Sequence, residues 1–374
     1  MADSFWLEEQ TEPLRSPRYD GRVDVAVIGG GVTGCSCAFS LAEKGIRVRL
    51  HEARQIASGA SGRNGGFALK GGAMPYDTAK AKLDTERAAW LWRLTERTLE
   101  CMEGLAGDAL RRVGSLQLAA DEKERDELRA EYEALLGDGF EADWIDEPAG
   151  RLAGRYKAAI LHPRDGALQP ARWIRRLAVH AADAGVDIRE HDRVTSLEGL
   201  DADVVVVASD GYPSGLLSEI DELVQPIRGQ VVVTEPLGER LYERPHYARH
   251  GFDYWQQLPD GRLVAGGRRD TDLAGESTAE EATSPEIQAA LEAFVQELVG
   301  RKPAITHRWA GIFGDTADAL PLVGPVPNRD GAWVSRGYSG HGNVLGLACG
   351  NLVAKAILGR RDPELELFDP ARFF

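Results

Sequence analysis

The feature that most constrains the fold is the segment VDVAVIGGGVTGCSCAFSLAEKGIRVRLHE, residues 23–52. A short apolar strand leads into the spacing G-x-G-x-x-G, formed by Gly29, Gly31 and Gly34, and then into a helix and a second strand that closes on Glu52. The first glycine permits the tight turn, the second lets a pyrophosphate approach the backbone, and the third lets the helix pack against the strand. The segment therefore predicts a dinucleotide site, with Glu52 on a ribose hydroxyl and the pyrophosphate at the positive end of the helix dipole. The alternative for Glu52 is a solvated strand end, which the order of the elements disfavours.

Length and composition are those of a soluble globular protein. The 374 residues suffice for two packed cores, with 43% hydrophobic and 28% charged residues. A net charge of −15 argues against a nucleic-acid or anionic-membrane surface. Such a charge is typical of a soluble protein, and it also fits a cationic substrate. The N-terminal segment lacks a signal-peptide pattern, and no stretch approaches the roughly 18 apolar residues of a membrane span. We therefore expect a cytoplasmic protein.

The four cysteines indicate neither a metal site nor a disulfide framework. Cys35 and Cys37 are two apart on the first helix, so their side chains point in different directions and cannot form a bridge or a metal pair. We expect both to be small buried apolar residues.

Elements of the nucleotide-binding type recur later in the chain. A helix that begins near Pro170 and ends near Gly185 is followed by strands at 186–188 and 203–208, and the second of these is apolar enough for the middle of a parallel sheet. A strand at 332–336 leads through a glycine-rich turn into a last helix, whose N-terminus can also stabilise negative charge.

The intervening stretches follow other patterns. Residues 225–267 alternate as in an antiparallel meander, residues 78–105 have helical spacing, and residues 284–299 form another helix. Trp6, on an extended N-terminal arm, is expected to pack on the surface. We predict an α/β fold in which a discontinuous Rossmann-like dinucleotide-binding domain (residues 1–76, 150–224 and 302–374) is interleaved with an α+β substrate-binding domain on an antiparallel sheet (residues 77–149 and 225–301).

A second glycine-rich stretch, ARQIASGASGRNGGFALKGG, follows Glu52 directly. So much glycine after a nucleotide strand indicates a backbone that passes close to a flat or charged ligand. Ser58, Ser61, Arg63 and Asn64 supply hydrogen-bond donors there. The alternative is a flexible surface loop.

Taken together, GGGVTG with Glu52, ASGASGRNGG, DVVVVAS, HRWAG and GYSGHG, in this order, resemble the D-amino-acid-oxidase (DAO) family of FAD-dependent oxidoreductases over nearly the whole chain, above all its gamma-glutamylputrescine oxidase-like members. The resemblance implies oxidation of a C–N bond by hydride transfer to flavin N5, then imine hydrolysis, with oxygen or another acceptor taking the electrons. The implied FAD is non-covalent, because no cysteine lies between Cys101 and Cys349, where some relatives attach the flavin.

The resemblance also implies where FAD lies. The pyrophosphate would contact the first glycines, Glu52 the adenosine ribose, Val194 the adenine through its backbone, and residues 337–343 the pyrimidine edge of the flavin. The implied cofactor-binding residues are Gly29, Gly31, Val32, Thr33, Gly34, Glu52, Ala53, Arg54, Ser58, Gly59, Ser61, Arg63, Asn64, Gly65, Gly66, Val194, Ala208, Gly311, Gly337, Tyr338, Gly340, His341, Gly342 and Asn343.

Four residues are candidates for the catalytic site. His341 would tune the flavin or accept a proton, or else is structural. Arg63 would contact flavin or substrate, or else pairs with a carboxylate of the second domain. Strand alternation lets either Tyr254 and Gln256 or Trp255 alone point inward, and we favour the pair as substrate contacts. The sequence identifies no catalytic base, and an amine that binds neutral needs none for hydride transfer.

One departure from the family bears on the substrate. Amino-acid oxidases of this family tend to carry an arginine two residues after W-x-G, whereas here Trp309-Ala310-Gly311 is followed by Ile312 and Phe313. Without that bidentate partner an α-carboxylate would be poorly held, which favours an amine. Three other arginines could replace it: Arg228, Arg268 and Arg336.

Three functions therefore stand at the sequence level. The first is oxidation of gamma-glutamylputrescine or a related amine, although Phe67, where putrescine-type relatives often carry glutamine, indicates a different amine. The second is a glycine, sarcosine or D-amino-acid oxidase or dehydrogenase, and the third is a non-catalytic flavin-binding subunit. The expected partners are a small-molecule amine or amino acid and an electron acceptor. No nucleic acid, membrane span or metal is expected, and the sequence sets no oligomeric state.

Overall fold

The computed structural model describes residues 4–360 and 362–374, which contain 17 β-strands and eight α-helices. The strands are β1 (Val23–Ile28), β2 (Val48–His51), β3 (Phe67–Ala68), β4 (Leu110–Arg111), β5 (Ser115–Ala119), β6 (Asp143–Ile145), β7 (Ala158–His162), β8 (Gly166–Leu168), β9 (Asp187–Arg189), β10 (Ala202–Val207), β11 (Gln225–Thr234), β12 (His246–Ala248), β13 (Asp253–Gln257), β14 (Leu263–Gly267), β15 (Ile305–Asp315), β16 (Leu322–Pro325) and β17 (Ala332–Arg336). The helices are α1 (Val32–Ala42), α2 (Tyr76–Leu83), α3 (Thr85–Ala106), α4 (Glu122–Gly137), α5 (Pro170–Asp183), α6 (Ser218–Asp221), α7 (Pro285–Val299) and α8 (Gly342–Ile357).

A six-stranded sheet has the order β16-β17-β10-β1-β2-β9 and carries the dinucleotide motif at its centre. All of its pairs are parallel except β16 with β17. As predicted, the apolar strand β10 lies inside this sheet, between β1 and β17, and α1 packs against α5 and α8. The Rossmann-like half of the predicted fold is confirmed, as is the burial of Cys35 and Cys37.

An eight-stranded sheet of order β15-β11-β14-β13-β12-β5-β7-β6 forms the second layer. Its pairs are antiparallel except β12 with β5, which confirms the predicted antiparallel sheet of the substrate domain. Helix α7 covers one face, where Trp255 meets Phe294 edge to face at 5.6 Å. The meander is incomplete, because β11 pairs with β14 and β15 rather than with β12, the next strand along the chain. A third sheet, β3-β8-β4, is small.

The chain passes between the two sheets more often than the predicted boundaries allow. Strands β7 and β15 fall within ranges predicted for the dinucleotide domain, yet both pair in the eight-stranded sheet. Strand β15 pairs along almost the whole of β11, so its neighbour in space is the second domain. Residues 1–3 and 361 of the predicted dinucleotide domain lie outside the described residues.

Two local expectations were wrong. Trp6 is 1% exposed rather than on the surface: its Nε1 donates to the Asn64 carbonyl at 2.8 Å, and its ring packs edge to face on Trp309. The helix expected over residues 78–105 is two helices, because Asp84 adopts a φ of 83° and caps α3 by accepting from the Arg87 amide. Among the described residues no helix is both long and apolar enough to cross a membrane.

Candidate active site

A cavity of about 850 Å³ lies between the six-stranded and eight-stranded sheets. A volume of this size is at the upper end for small-molecule sites. Most of the predicted site residues line it: Gly29, Gly31, Val32, Thr33, Glu52, Ala53, Arg54, Gly59, Ser61, Arg63, Asn64, Gly65, Val194, Ala208, Tyr254, Gly311, Tyr338, Gly340, His341, Gly342 and Asn343. Five do not line it: Gly34, Ser58, Gly66, Gln256 and Gly337.

Each of the three fingerprint glycines stands where a Cβ would come within 3 Å of another atom. A Cβ on Gly29, whose φ is 114°, would lie 2.5 Å from the Ala208 carbonyl oxygen, and one on Gly31 would lie 2.9 Å from the Ser61 hydroxyl. A Cβ on Gly34 would lie 1.9 Å from the Gly29 carbonyl oxygen, so Gly34 acts through helix packing. Gly31, the N-cap residue of α1, has no side chain to cap the helix, and the Ser61 hydroxyl accepts from the Val32 amide at 3.0 Å. The first turn of α1 lines the cavity with its positive end.

The Glu52 carboxylate is held rigidly at the end of β2. Its Oε2 accepts from the Gly30 amide and its Oε1 from the Arg54 amide, both at 2.7 Å. Each carboxylate oxygen can accept a further hydrogen bond. Glu52 is half-buried and lines the cavity, which supports a ribose contact over a solvated strand end.

A reciprocal amide pair joins the two glycine-rich segments. Asn64 Nδ2 donates to Asn343 Oδ1 at 3.0 Å, and Asn343 Nδ2 donates to Asn64 Oδ1 at 3.1 Å and to the Phe67 carbonyl at 2.7 Å. The segment after Glu52 is therefore bonded to the first turn of α8, and these contacts argue against the flexible-loop alternative.

Arg63 is held by a backbone carbonyl of its own glycine-rich segment and by a carboxylate from the predicted substrate-binding domain. It is 4% exposed; its Nε donates to the Ser58 carbonyl at 2.8 Å and lies 3.7 Å from Glu281. Glu281 also pairs with Arg54 at 2.6 Å and accepts from the Tyr212 hydroxyl. The geometry supports the structural alternative for Arg63. Glu281 itself was missed, since nothing in its exposed-looking acidic stretch distinguishes it.

His341 lies at the N-terminus of α8, where no side chain caps the helix. Burial lowers the pKa of His341, so the ring is neutral at neutral pH. Its neighbour Tyr338 accepts from the Thr33 hydroxyl at 3.0 Å, and this bond ties the turn to α1. Because the His341 ring is uncharged, the positive potential at this wall of the cavity comes from the N-terminal end of the α8 dipole.

Strand β13 presents Tyr254 to the cavity and buries Trp255 on the other side, as the favoured alternation predicted. Gln256 shares the Tyr254 side, but its Nε2 donates to the carbonyls of Gly65 and Gly66 at 2.7 and 2.8 Å. Gln256 therefore supports the glycine-rich backbone and does not reach the cavity. Burial raises the pKa of Tyr254 to about 12, so its hydroxyl keeps its proton at neutral pH.

None of the three arginines considered as replacements for the family arginine lines the cavity. Arg228 pairs with Glu276 at 2.6 Å, Arg268 with Asp253 at 2.9 Å, and Arg336 with Asp221.

A different arginine, Arg269, does line the cavity. Its guanidinium lies over the rings of Phe252 and Phe313, at 4.6 and 5.9 Å from their centroids. Sequence alternation could not have identified it, because Arg268 adopts a left-handed φ of 58° just past β14 and interrupts the strand pattern.

Comparisons with known proteins agree with this geometry. A family model described as DAO, FAD dependent oxidoreductase, matches residues 24–356. A probable oxidoreductase OrdL of Rhizobium meliloti is 30% identical over 92% of this chain and 85% of its own length, and the gamma-glutamylputrescine oxidoreductase of Escherichia coli is 29% identical over the same shares. The crystal structure of glycine oxidase from Geobacillus kaustophilus superposes with a TM-score of 0.78 at 26% identity, covering 94% of this chain and 98% of that one. The chain belongs to the DAO family of FAD-dependent oxidoreductases.

Proposed function

We propose that this protein oxidises the C–N bond of an amine, gamma-glutamylputrescine or a related amine, rather than that of an α-amino acid. The observation that carries the proposal is the wall of the cavity at residues 311–313. There the motif Trp309-Ala310-Gly311 is followed by Ile312 and Phe313, which line the cavity where the family arginine would stand. Arg308, the arginine of this strand, donates to Gln288 and Glu292 and does not line the cavity. The similarity to the gamma-glutamylputrescine oxidoreductase supports the same substrate class.

The residues present fit FAD. The three fingerprint glycines stand where a Cβ would be crowded, and neither of the two helices that begin at the cavity is capped by the side chain of its own N-cap residue. Glu52 offers carboxylate oxygens at the end of β2. We propose that the first glycines and α1 hold the pyrophosphate, Glu52 the ribose and residues 337–343 the flavin, without a covalent bond. Bound FAD would supply the hydride acceptor.

In the proposed reaction the carbon next to the amine nitrogen loses a hydride and the nitrogen loses a proton, which leaves an imine. Water then adds to the imine to give a carbonyl compound and ammonia, and the two electrons pass to oxygen or another acceptor. The chain's part is to hold the amine in place and to exclude water from the reacting carbon.

Two side chains at the cavity wall, Tyr254 and His341, are neutral partners for such an amine. Tyr254 keeps its proton, and its hydroxyl can donate to or accept from the nitrogen. His341 is uncharged because burial lowers its pKa. We infer that the amine reacts in its neutral form, so the rate should rise with pH as the bound substrate loses its proton.

Amino-acid oxidation is the second candidate, and Arg269 is the observation that favours it. The guanidinium lines the cavity on the aromatic pair Phe252 and Phe313, where a substrate carboxylate would be a bidentate partner.

Arg269→Gln separates the two candidates. For an amine substrate without a carboxylate we expect kcat/KM to change by less than about threefold, because such a substrate has no carboxylate for the guanidinium to bind. A hydrogen bond between the guanidinium and a substrate carboxylate would contribute about 1.5–3 kcal/mol. A loss of about tenfold or more for glycine, sarcosine or D-alanine, measured as flavin reduction, would move the assignment to amino acids. Arg129→Gln, on the exposed face of α4, is the control.

Product analysis tests the proposal as a whole. Incubation of the FAD-loaded protein with an amine in air should release ammonia and a trappable aldehyde in equal amounts. Release of ammonia from α-amino acids alone would overturn the amine assignment.

We also propose a cytoplasmic location, which the unpaired cysteines favour, Cys101 being exposed.

A further inference from the structure

Beyond Tyr254, on the substrate side, polar side chains line the wall of the cavity. Tyr254, Tyr247 and Gln117 face one another across the neighbouring strands β13, β12 and β5, and all three line the cavity. Strands lie about 4.8 Å apart, so Gln117 stands roughly 10 Å along the sheet from Tyr254. We call this part of the cavity the acceptor recess, after its hydrogen-bond acceptors. It is lined by Gln117, Glu131, His162, Asp165 and Tyr247.

The hydrogen bonds in the acceptor recess fix the orientation of the Gln117 side-chain amide. Glu131 accepts from the Tyr76 amide at 3.0 Å and from Gln117 Nε2 at 2.8 Å, which fixes the Gln117 amide with its oxygen toward the other side. That oxygen lies 3.1 Å from the Tyr247 hydroxyl and 3.1 Å from His162 Nε2. An amide oxygen only accepts, so both Tyr247 and His162 donate to it.

His162 is consequently left with a lone pair and no donor. The residue is 4% exposed, and burial, aided by the charge of Lys70, lowers its pKa to about 3, so the ring is neutral with its hydrogen on Nε2. The other ring nitrogen, Nδ1, has no hydrogen-bond partner among the described residues. A buried acceptor without a donor costs free energy, which a ligand N–H can recover.

The charges nearby favour a cation. Asp165 accepts from the Lys70 amide at 3.0 Å and from the Ser115 hydroxyl at 2.7 Å, the pattern of an ionised carboxylate. Burial raises the pKa of Asp165 to about 6, so it is charged at pH 8. The opposing cation at this wall, Lys70, donates its Nζ to the Glu141 carbonyl at 2.8 Å and lies 3.8 Å from Glu96. The Lys70 charge also acts on Asp165 and Glu131, but the three carboxylates of Glu96, Glu131 and Asp165 outnumber it.

We infer that the acceptor recess binds a protonated amine at the end of the substrate remote from the reacting carbon, so that the preferred substrates are diamines or longer polyamines. The inference rests on the proposed function, since it names the substrate class of that same site. The distal ammonium would donate to His162 Nδ1 and to the two carboxylates, while the reacting nitrogen lies beside Tyr254.

The test compares α,ω-diaminooctane with n-octylamine, a pair of equal length that differs in one terminal ammonium. Binding is measured by calorimetric titration of the FAD-loaded protein after reduction with dithionite, so that no turnover occurs. We expect the diamine to bind about tenfold or more tightly, which is the value of one hydrogen-bonded charge in a buried site.

Two variants and a control locate the effect. Asp165→Asn keeps the bond from Lys70, and the Ser115 hydroxyl can turn to accept from the new amide, so the fold should survive. His162→Phe keeps a ring of similar shape but deletes the Nδ1 acceptor, and the Gln117 oxygen keeps its donor in the Tyr247 hydroxyl. Each should lower the preference for the diamine several-fold, whereas Asp143→Asn, exposed on β6 of the same sheet, should leave it unchanged.

The possible outcomes separate the inference from the proposed function. Equal binding of the two amines by the unsubstituted protein, or an unchanged preference in both variants, overturns the acceptor recess as an ammonium site. A preference for the diamine that both variants lower supports it, even if neither amine then reduces the flavin of the oxidised protein. If both amines reduced the flavin and bound with equal affinity, amine oxidation would be supported and the acceptor recess would be rejected as an ammonium site.

Discussion

Glu52→Ala should weaken FAD binding about 100-fold while leaving the protein folded. The carboxylate is the acceptor that the structure offers to the ribose at the end of β2, and its loss also frees the amides of Gly30 and Arg54, which it now holds at 2.7 Å. Hydrogen bonds to charged groups contribute about 1.5–3 kcal/mol each, and about 3 kcal/mol corresponds to roughly 100-fold in affinity. Titration of the apoprotein with FAD, followed by flavin fluorescence, measures the change.

The control for this variant is Glu43→Ala, which removes an exposed glutamate just after α1 on the same βαβ unit and should leave FAD affinity unaltered. Circular dichroism of both variants checks that the fold is retained. An affinity for FAD that Glu52→Ala does not change would remove Glu52 from the cofactor contacts.

Asp187→Asn should destabilise the protein by about 3–5 kcal/mol at pH 7. The Asp187 side chain is fully buried on β9 and pairs with Arg49 of β2 at 2.9 Å and with Arg18 of the N-terminal arm at 2.9 Å. Removal of one partner leaves the Arg49 charge buried and uncompensated, and losses of this kind cost about 3–5 kcal/mol. Strand β9 also accepts from the Glu52 amide, so the pair supports the ribose end of the site. Urea unfolding measures the free energy.

The ion pairs of Asp187 also predict how the free energy of unfolding changes with pH. Burial alone would raise the pKa of Asp187, but hydrogen bonds from Arg189, Arg49 and Arg18 outweigh it and lower the pKa to about 2. A carboxyl of the unfolded chain titrates near 3.9, so the stabilisation is fully present above about pH 4 and is lost as the pH falls toward 2. The difference between Asp187→Asn and the unsubstituted protein should shrink over that range. Asp203→Asn, which breaks a surface pair with Arg22, should cost no more than about 1 kcal/mol, and an equal cost for both variants would contradict the account.

The parts of the fold that the sequence predicted best are those with local causes. The glycines of the first unit, the apolar run of β10 and the proline that opens α5 each act through their immediate neighbours, and the elements appear within a few residues of their expected bounds. The glycine-rich segments were recognisable for the same reason, because close backbone approach restricts the residue type itself.

The remainder depends on partners far away in the chain. Trp6 is buried only because Asn64 and Trp309 come to meet it, and the Asp84 break depends on a left-handed backbone that no periodicity reveals. Arg63 needed Glu281, more than 200 residues later, before its structural partner could be named. The acceptor recess joins residues from α4, β5, β7 and β12, whose meeting depends on strand register.

The central claim, that this chain is an FAD enzyme acting on amines, is tested most directly by the visible spectrum of the FAD-loaded protein without oxygen. Addition of gamma-glutamylputrescine or a simple polyamine should bleach the flavin absorption, and readmitted air then distinguishes an oxidase from a dehydrogenase by whether the colour returns. Bleaching by α-amino acids alone would contradict the amine assignment. Bound FAD that no amine or amino acid bleaches would make the protein a non-catalytic flavin-binding subunit, and a chain that takes up no FAD would contradict the account entirely.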